Sequence, residues 1–247
     1  MYADKIAPSE KKPLISYVTV VLNGANDLHA TIDSIVPHVC NEVEYIVVDG
    51  GSSDGTVSII EQYGASISKW VSEKDTGIYD AMNKGIRLAK GDYICFINIG
   101  DRLLHCPLQQ LRCAASQNAA AVSFPVKLSN GQLFSPSFSL KLVFENTMHH
   151  QGTYYLKDAL AFFDISYKAF ADFDINQKLF KANVKVVTNL EIINALHSLD
   201  GTSNCATNFP EIFTVVRKNF GTVAAWGSYL HFRFKYGLVP KIKRFIS

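Results

Sequence analysis

The chain has 247 residues, 48% of them hydrophobic, and a formal net charge of +2, which is length and apolar content enough for one well-buried domain. Its start, MYADKIAPSEKKPL, lacks the apolar core of a signal peptide, and no window of about 18 residues is apolar and uncharged enough to span a bilayer, so a cytoplasmic protein is expected. Five cysteines without a CxxC pair exclude a disulfide frame or a zinc site as the organising feature.

Ile15 to Leu22 reads as a buried strand, followed by a helix capped by Asn26 or Asp27 with Leu28, Ile32, Ile35 and Val36 on its apolar face. A second buried strand, Tyr45 to Val48, ends in Asp49 and breaks into Gly50 and Gly51. A short helix from Thr56 to about Gly64 and a strand from Ser68 to Ser72 come next. Between Gly77 and Lys90, Tyr79, Met82, Ile86 and Ala89 recur at helical spacing, and Tyr93 to Ile97 forms a fourth strand that runs into Asn98, Ile99, Gly100 and Asp101. Beyond it the pattern predicts a helix with Leu108 and Leu111, a strand over Ala121 to Leu128, and a hairpin near Asn130 and Gly131. Helical character returns over Lys157 to Phe163 and Asp174 to Ala182, before a strand over Lys185 to Thr188. Strands alternating with helices predict an α/β fold with a mostly parallel central sheet and helices on both faces.

In such sheets ligands bind beyond the carboxyl ends of the strands. Three of the four strands end there in acids, at Asp49, at Glu73 and Asp75, and at Asp101. A cleft lined with carboxylates accepts an anionic ligand when a cation such as Mg²⁺ or Mn²⁺ intervenes, so a metal-bridged nucleotide is expected. A dinucleotide is disfavoured because the first turn, LNGAND, has one glycine, and the ATP-cradling loop fails because Thr56 stands where lysine is required.

Four segments in order, VVDGGSSDGT at 47 to 56, DTGIYDAMNKGIRLAKGDYICFINIGD at 75 to 101, HHQGTYY at 149 to 155 and ADFDINQKL at 171 to 179, resemble the family-2 glycosyltransferases of GT-A fold, and among them the bacterial exopolysaccharide, O-antigen and colanic-acid type. The resemblance implies a GT-A domain over residues 1–205 and an inverting transfer of a sugar from a nucleotide-sugar donor to a glycan or lipid-linked saccharide. By the same resemblance Asp49 contacts the base, with Asn23 beside it; Asp80, Asn83 and Lys84 lie along the donor diphosphate, with Asn98 also on the donor side. Asp101 holds Mg²⁺ or Mn²⁺, Asp172 is the general base, and His150 and Gln151 approach the acceptor or diphosphate, while His149 has no assigned task and Arg87 reads as a solvated helix residue. Many relatives carry several acids where this chain has Asn98, Ile99, Gly100 and Asp101, so its cation is expected to bind weakly without nucleotide. A sugar nucleotidyltransferase would want a basic glycine-rich first loop, and a non-catalytic nucleotide-sugar or glycan-binding module would not need Asp172.

Residues 206–247 read as a basic, aromatic helical tail. From 212 onward there are seven Lys or Arg and no acid, leaving 17 bases against 22 acids in the first 211 residues. An interface helix on an anionic membrane and an ordinary packed helix both fit this pattern. No nucleic-acid-binding motif accompanies the charge.

Overall fold

The computed structural model describes residues 12–199 and 208–236. Four parallel strands occupy one side of the main sheet: β1 (Ile15–Val21), β2 (Val43–Asp49), β3 (Lys69–Ser72) and β4 (Tyr93–Phe96). All seven residues of β1 are buried, as expected of a strand covered on both faces. On the other side lie β6 (Ala121–Ser123), β9 (Thr153–Leu156) and β10 (Val186–Thr188), giving the order β10-β6-β9-β4-β1-β2-β3. β9 runs antiparallel to both neighbours, β4 and β6. A second sheet holds β5 (Arg102–Leu103), β11 (Ala195–His197), β7 (Val126–Leu128) and β8 (Leu133–Phe134) in that order.

Side-chain alternation along the strands builds a core on each face of the main sheet. Val18, Val20, Ile46 and Val48 pack with Met82 and Ile86 of α3 (Ile78–Leu88) and with Phe173 and Leu179 of α5 (Ala171–Lys181). Ile15, Tyr17, Tyr45 and Val47 pack with Leu28 and Ile32 of α1 (Ala25–Ile35), Ile60 of α2 (Thr56–Gln62) and Leu111 of α4 (Leu108–Ser116). The fold is therefore α/β, with a large, mostly parallel sheet between helices.

The last helix, α6 (Pro210–Tyr236), is interrupted at Gly221, whose φ of 84° lies in the left-handed region. Ring contacts between Phe209 and Phe232, and between Phe213 and Tyr229, show that the two halves fold back on one another. Ile212, Phe213, Val215, Val216, Ala225, Tyr229 and Phe232 join the core that contains α3 and α5. One face of the expected tail is thus packed against the body; residues 237–247 lie outside the described residues.

Four local expectations need correction. Gly24, rather than Asn26 or Asp27, stands at the N-terminus of α1, and the free amide of Ala25 donates to Asp54 Oδ2 at 3.0 Å, so the cap comes from the loop after β2. The strand expected over 121–128 breaks at Phe124 and Pro125 into β6 and β7, which belong to different sheets; proline offers no amide to continue a ladder. Only Lys157–Ala159 of the helix expected over 157–163 forms, as one tight turn. α5 begins at Ala171, three residues earlier than expected, which places Asp172 and Asp174 in its first turn.

Candidate active site

The loops after β1 and β2 are sewn together by side chains. Asn23, held at φ 50°, accepts the Ser53 amide at 2.9 Å, while its own amide donates to Ser52 Oγ at 2.7 Å. Asp49 sits beneath this junction, fully buried, and its carboxylate takes the amides of Gly51 and Ser52, the hydroxyl of Ser72 at 2.6 Å and the hydroxyl of Ser52. These four donors shape the loop. Asp49 is not among the residues that wall the two cavities described below; it underlies the loop that the resemblance sets against the base.

Along α3 the residues expected on the donor side are likewise tied to neighbouring protein groups. Asp80 closes the start of the helix by accepting the Thr76 amide at 3.0 Å. Lys84 pairs with Asp75 at 2.5 Å and Glu73 at 3.1 Å; burial opposes its charge, but the two carboxylates outweigh it and hold the ammonium pKa above the ordinary value. Asn83 is buried and clamps the main chain of Phe163 from both sides, donating to its carbonyl at 2.9 Å and accepting its amide at 2.8 Å. None of these three lines the cleft. Arg87 is exposed, its guanidinium 4.9 Å from the centre of the Phe162 ring.

Other expected residues do meet. A cavity of about 380 Å³ lies beyond β1 and β4, walled by Asn23, Tyr79, Asn98, Asp101, His150, Gln151 and His197 among others. A second, of about 250 Å³, adjoins it between α5 and α6 and is walled by Asn146, His149, Asp172, Phe209, Ile212 and Phe232 among others. Both include His150, Gln151, Ala169 and His197, so the two form one cleft.

At their junction Asp101, 3% exposed, accepts Gln151 Nε2 at 2.9 Å, His197 Nδ1 at 2.8 Å and the Ser198 amide at 3.0 Å. His197 arrives there by strand register: β11 pairs antiparallel with β5, Ala195 opposite Leu103 and Leu196 opposite Arg102, which sets the next residue beside Asp101. On the far side, Asp172 accepts the Phe173 amide at 2.8 Å and Asn146 Nδ2 at 3.1 Å. His150 bridges the halves, with Nε2 3.2 Å from Asn98 Nδ2 and Nδ1 3.4 Å from Asp172 Oδ2. If the Asn98 amide donates to Nε2, the imidazole proton sits on Nδ1 and faces Asp172. His149 packs between the rings of Phe134 and His197; burial, then the charge of His197, pushes its pKa down to about 4, so it is neutral near pH 7.

Among the described residues no cluster of three His, Cys, Asp or Glu forms a ready metal cage. The junction nevertheless suits a hard cation that also takes ligand oxygens. Asp101 and His197 stand together, and two buried oxygens nearby, Asn98 Oδ1 and Gln151 Oε1, have no hydrogen-bond partner. Leaving a buried acceptor unpaired costs about 1–3 kcal/mol. A divalent ion with an oxygen-rich shell would satisfy such atoms.

His197 and Asn146 were not singled out from the sequence. Each stands alone in its segment, and only the packing of strands and helices brings it to Asp101 or Asp172.

The chain is similar to known proteins in sequence and in fold. A PGL/p-HBAD biosynthesis glycosyltransferase from Mycobacterium bovis is 27% identical over 220 residues, covering 84% of this chain and 82% of that relative. S. aureus TarS 1–349 in complex with UDP-GlcNAc superposes with a TM-score of 0.71 at 14% identity, covering 90% of this chain and 73% of TarS 1–349. A mannosyltransferase from Pyrobaculum calidifontis in complex with GDP-Man and Mn²⁺ superposes at 0.67 with 15% identity, covering 92% and 72% of the respective chains. The fold shared with these enzymes is GT-A. With the family description "Glycosyl transferase family 2" matching residues 16–180, which contain the loops after β1 and β2, Asp101 and Asp172, this chain belongs to that family.

Proposed function

We propose that this glycosyltransferase is inverting and moves one sugar from a nucleoside-diphosphate donor to a glycan or lipid-linked saccharide in bacterial surface polysaccharide synthesis. The observation that carries the proposal is the continuity of the cleft, with Asp101 at its centre and Asp172 on its far wall. In this reading the donor occupies the larger cavity and the acceptor the cavity between α5 and α6. Nucleotide-sugar complexes of the structural neighbours, with UDP-GlcNAc and with GDP-Man, support the donor class. The relative's name, a PGL/p-HBAD biosynthesis glycosyltransferase, supports a biosynthetic sugar transfer, and in this reading the acceptor is met in the cytoplasm or at the inner face of the cell membrane.

Inversion requires the acceptor oxygen to attack the anomeric carbon from the side opposite the departing diphosphate. The new C–O bond forms as the bond to the diphosphate breaks, and the hydroxyl proton passes to Asp172. Asn146 and the Phe173 amide hold that carboxylate, and His150, with Nδ1 facing it, keeps it oriented. The Asp49 loop and Asn23 shape the nucleoside end of the donor cavity. Mg²⁺ or Mn²⁺, held by Asp101 and His197 with oxygens of Asn98 or Gln151, would offset the charge gathering on the departing diphosphate.

The test is a panel of UDP-, GDP- and dTDP-sugars with Mg²⁺ or Mn²⁺, scored for slow donor hydrolysis in the wild type, Asp101→Ala and Asp172→Asn. One donor is expected to turn over, with both substitutions reducing the rate. With an acceptor identified, NMR of the product is expected to show the opposite anomeric configuration. Retention of configuration, or hydrolysis indifferent to both substitutions, would overturn the assignment.

A further inference from the structure

The second half of α6 is apolar on two opposite faces. Ala225, Tyr229 and Phe232 turn into the core, and Gly227 allows close approach to the Phe144 ring. Val223, Trp226, Leu230 and Phe234, spaced three, four and four residues apart, fall on one stripe roughly 80° wide on the other side. Val223 is 87% exposed, Phe234 84%, Trp226 46% and Leu230 45%. A helix packed on a water-facing body ordinarily turns polar residues outward, so this outer face calls for an apolar neighbour.

Charge selects the neighbour. Residues 212–247 carry seven Lys or Arg without an acid, whereas the preceding 211 residues are net negative. Arg217 and Arg233 are exposed on α6. Lys218 and Lys235 are tied to Asp164 and Glu145, whereas Arg233 is exposed on the same half of the helix as the stripe, so a symmetric contact of two copies through this face would bring two basic helices together. Anionic lipid offers headgroups to the cations and acyl chains to the stripe, with tryptophan favoured at the boundary between them.

We propose that the Val223, Trp226, Leu230 and Phe234 face of α6 is a docking surface for an anionic bilayer. It rests on the reading of an acceptor met at the membrane and gives that reading a defined surface. Phe232, on the opposite side of the same helix, lines the acceptor half of the cleft together with Phe209 and Ile212. About one helix diameter, roughly 10 Å, would then separate the lipid from the acceptor cavity. A saccharide on a lipid carrier would reach Asp172 without leaving the bilayer surface.

The test uses the full chain with Trp70→Phe, which leaves Trp226 as the sole tryptophan. Vesicles of phosphatidylcholine alone and of phosphatidylcholine mixed with phosphatidylglycerol are titrated. Trp226 emission is expected to shift to the blue, and to be quenched by brominated acyl chains, only on the anionic vesicles. Adding Val223→Ser, Leu230→Gln and Phe234→Gln is expected to weaken partitioning at least about tenfold, since each removes a large apolar group from the contact. Donor hydrolysis in solution is expected to stay unchanged. If the triple variant fails a thermal melt, Val223→Ser with Phe234→Ser replaces it.

No blue shift on anionic vesicles, equal binding to neutral ones, or undiminished binding by the variant would overturn the proposal. So would a dimer seen by light scattering that the variant dissolves, because the face would then belong to a second copy. Absence of hydrolysis in every protein tested counts against the enzyme reading alone, since vesicle binding is measured independently of turnover.

Discussion

Replacing Asp172 with asparagine keeps the shape of the side chain and removes its capacity to take a proton. Positioned general bases contribute about 10²–10⁴ in rate, so Asp172→Asn is expected to lower kcat by about a hundredfold or more with little change in donor KM, measured by steady-state transfer. His197 stands at the junction of the two cavities. His197→Ala removes a donor to Asp101 and a ring from the wall that also holds Asn98 and Gln151. The Mn²⁺ concentration giving half-maximal activity is expected to rise by about tenfold or more, as for loss of groups that hold or orient metal ligands. Asn83 separates structure from chemistry. Asn83→Ala breaks both hydrogen bonds to Phe163 and should cost about 1–3 kcal/mol in denaturant melts, with donor KM little affected. A large KM change with unaltered stability would instead return Asn83 to the donor site.

Elements formed by local pattern were legible in the sequence. β1, β2 and α3 fall within a few residues of their expected places, because buried runs and 3.6-residue periodicity decide them locally. β9 was missed: its four residues carry no period of their own and become a strand through pairing with β4 and β6. Gly152, at its start, tolerates no Cβ, because that atom would run into the Phe124 carbonyl and Val126. Gly152→Ala should therefore destabilise the fold by about 1–3 kcal/mol in a denaturant melt and disturb Gln151 and His150 with it. The site was legible to the same degree. Asp101 and Asp172 stand in recognisable segments, whereas His197 owes its position to the register between β5 and β11. Asp49 is set at the base by the resemblance, whereas the four donors around its carboxylate come from a turn and a neighbouring strand that no local pattern announces.

At the scale of the whole molecule, α6 is fastened to the body by charge as well as by packing. Glu145 accepts His231 at 2.9 Å and Lys235 at 2.8 Å from α6, and pairs with Lys141 at 2.7 Å. Burial alone would raise its pKa, but the hydrogen bonds from Lys141, Lys235 and His231, with the charge of Lys235, outweigh burial and bring it down to about 2 from the usual 4.5. Because the folded pKa is depressed, the stabilisation is fully present above about pH 4.5 and is lost as pH falls toward 2. Glu145→Gln should lower stability at neutral pH and flatten its decline across that window, as followed by denaturant melts at stepped pH. Glu145 also lines the cavity between α5 and α6, so loss of these contacts in acid is expected to loosen that wall.

The antiparallel insertion of β9 also sets a schedule for biogenesis. β1 to β4 have left the ribosome about a hundred residues before His197, an interval of roughly 5–20 s at about 5–20 residues per second. Until β9 arrives, β4 offers an unpaired backbone edge in the middle of the future sheet. The nascent chain can build the loops after β1 and β2 early, yet it acquires Asp172 and His197 only after β9 has been made to close that edge. Catalytic competence is therefore the last property this polypeptide gains, and the open edge before it is the point at which a holdase chaperone would be needed most.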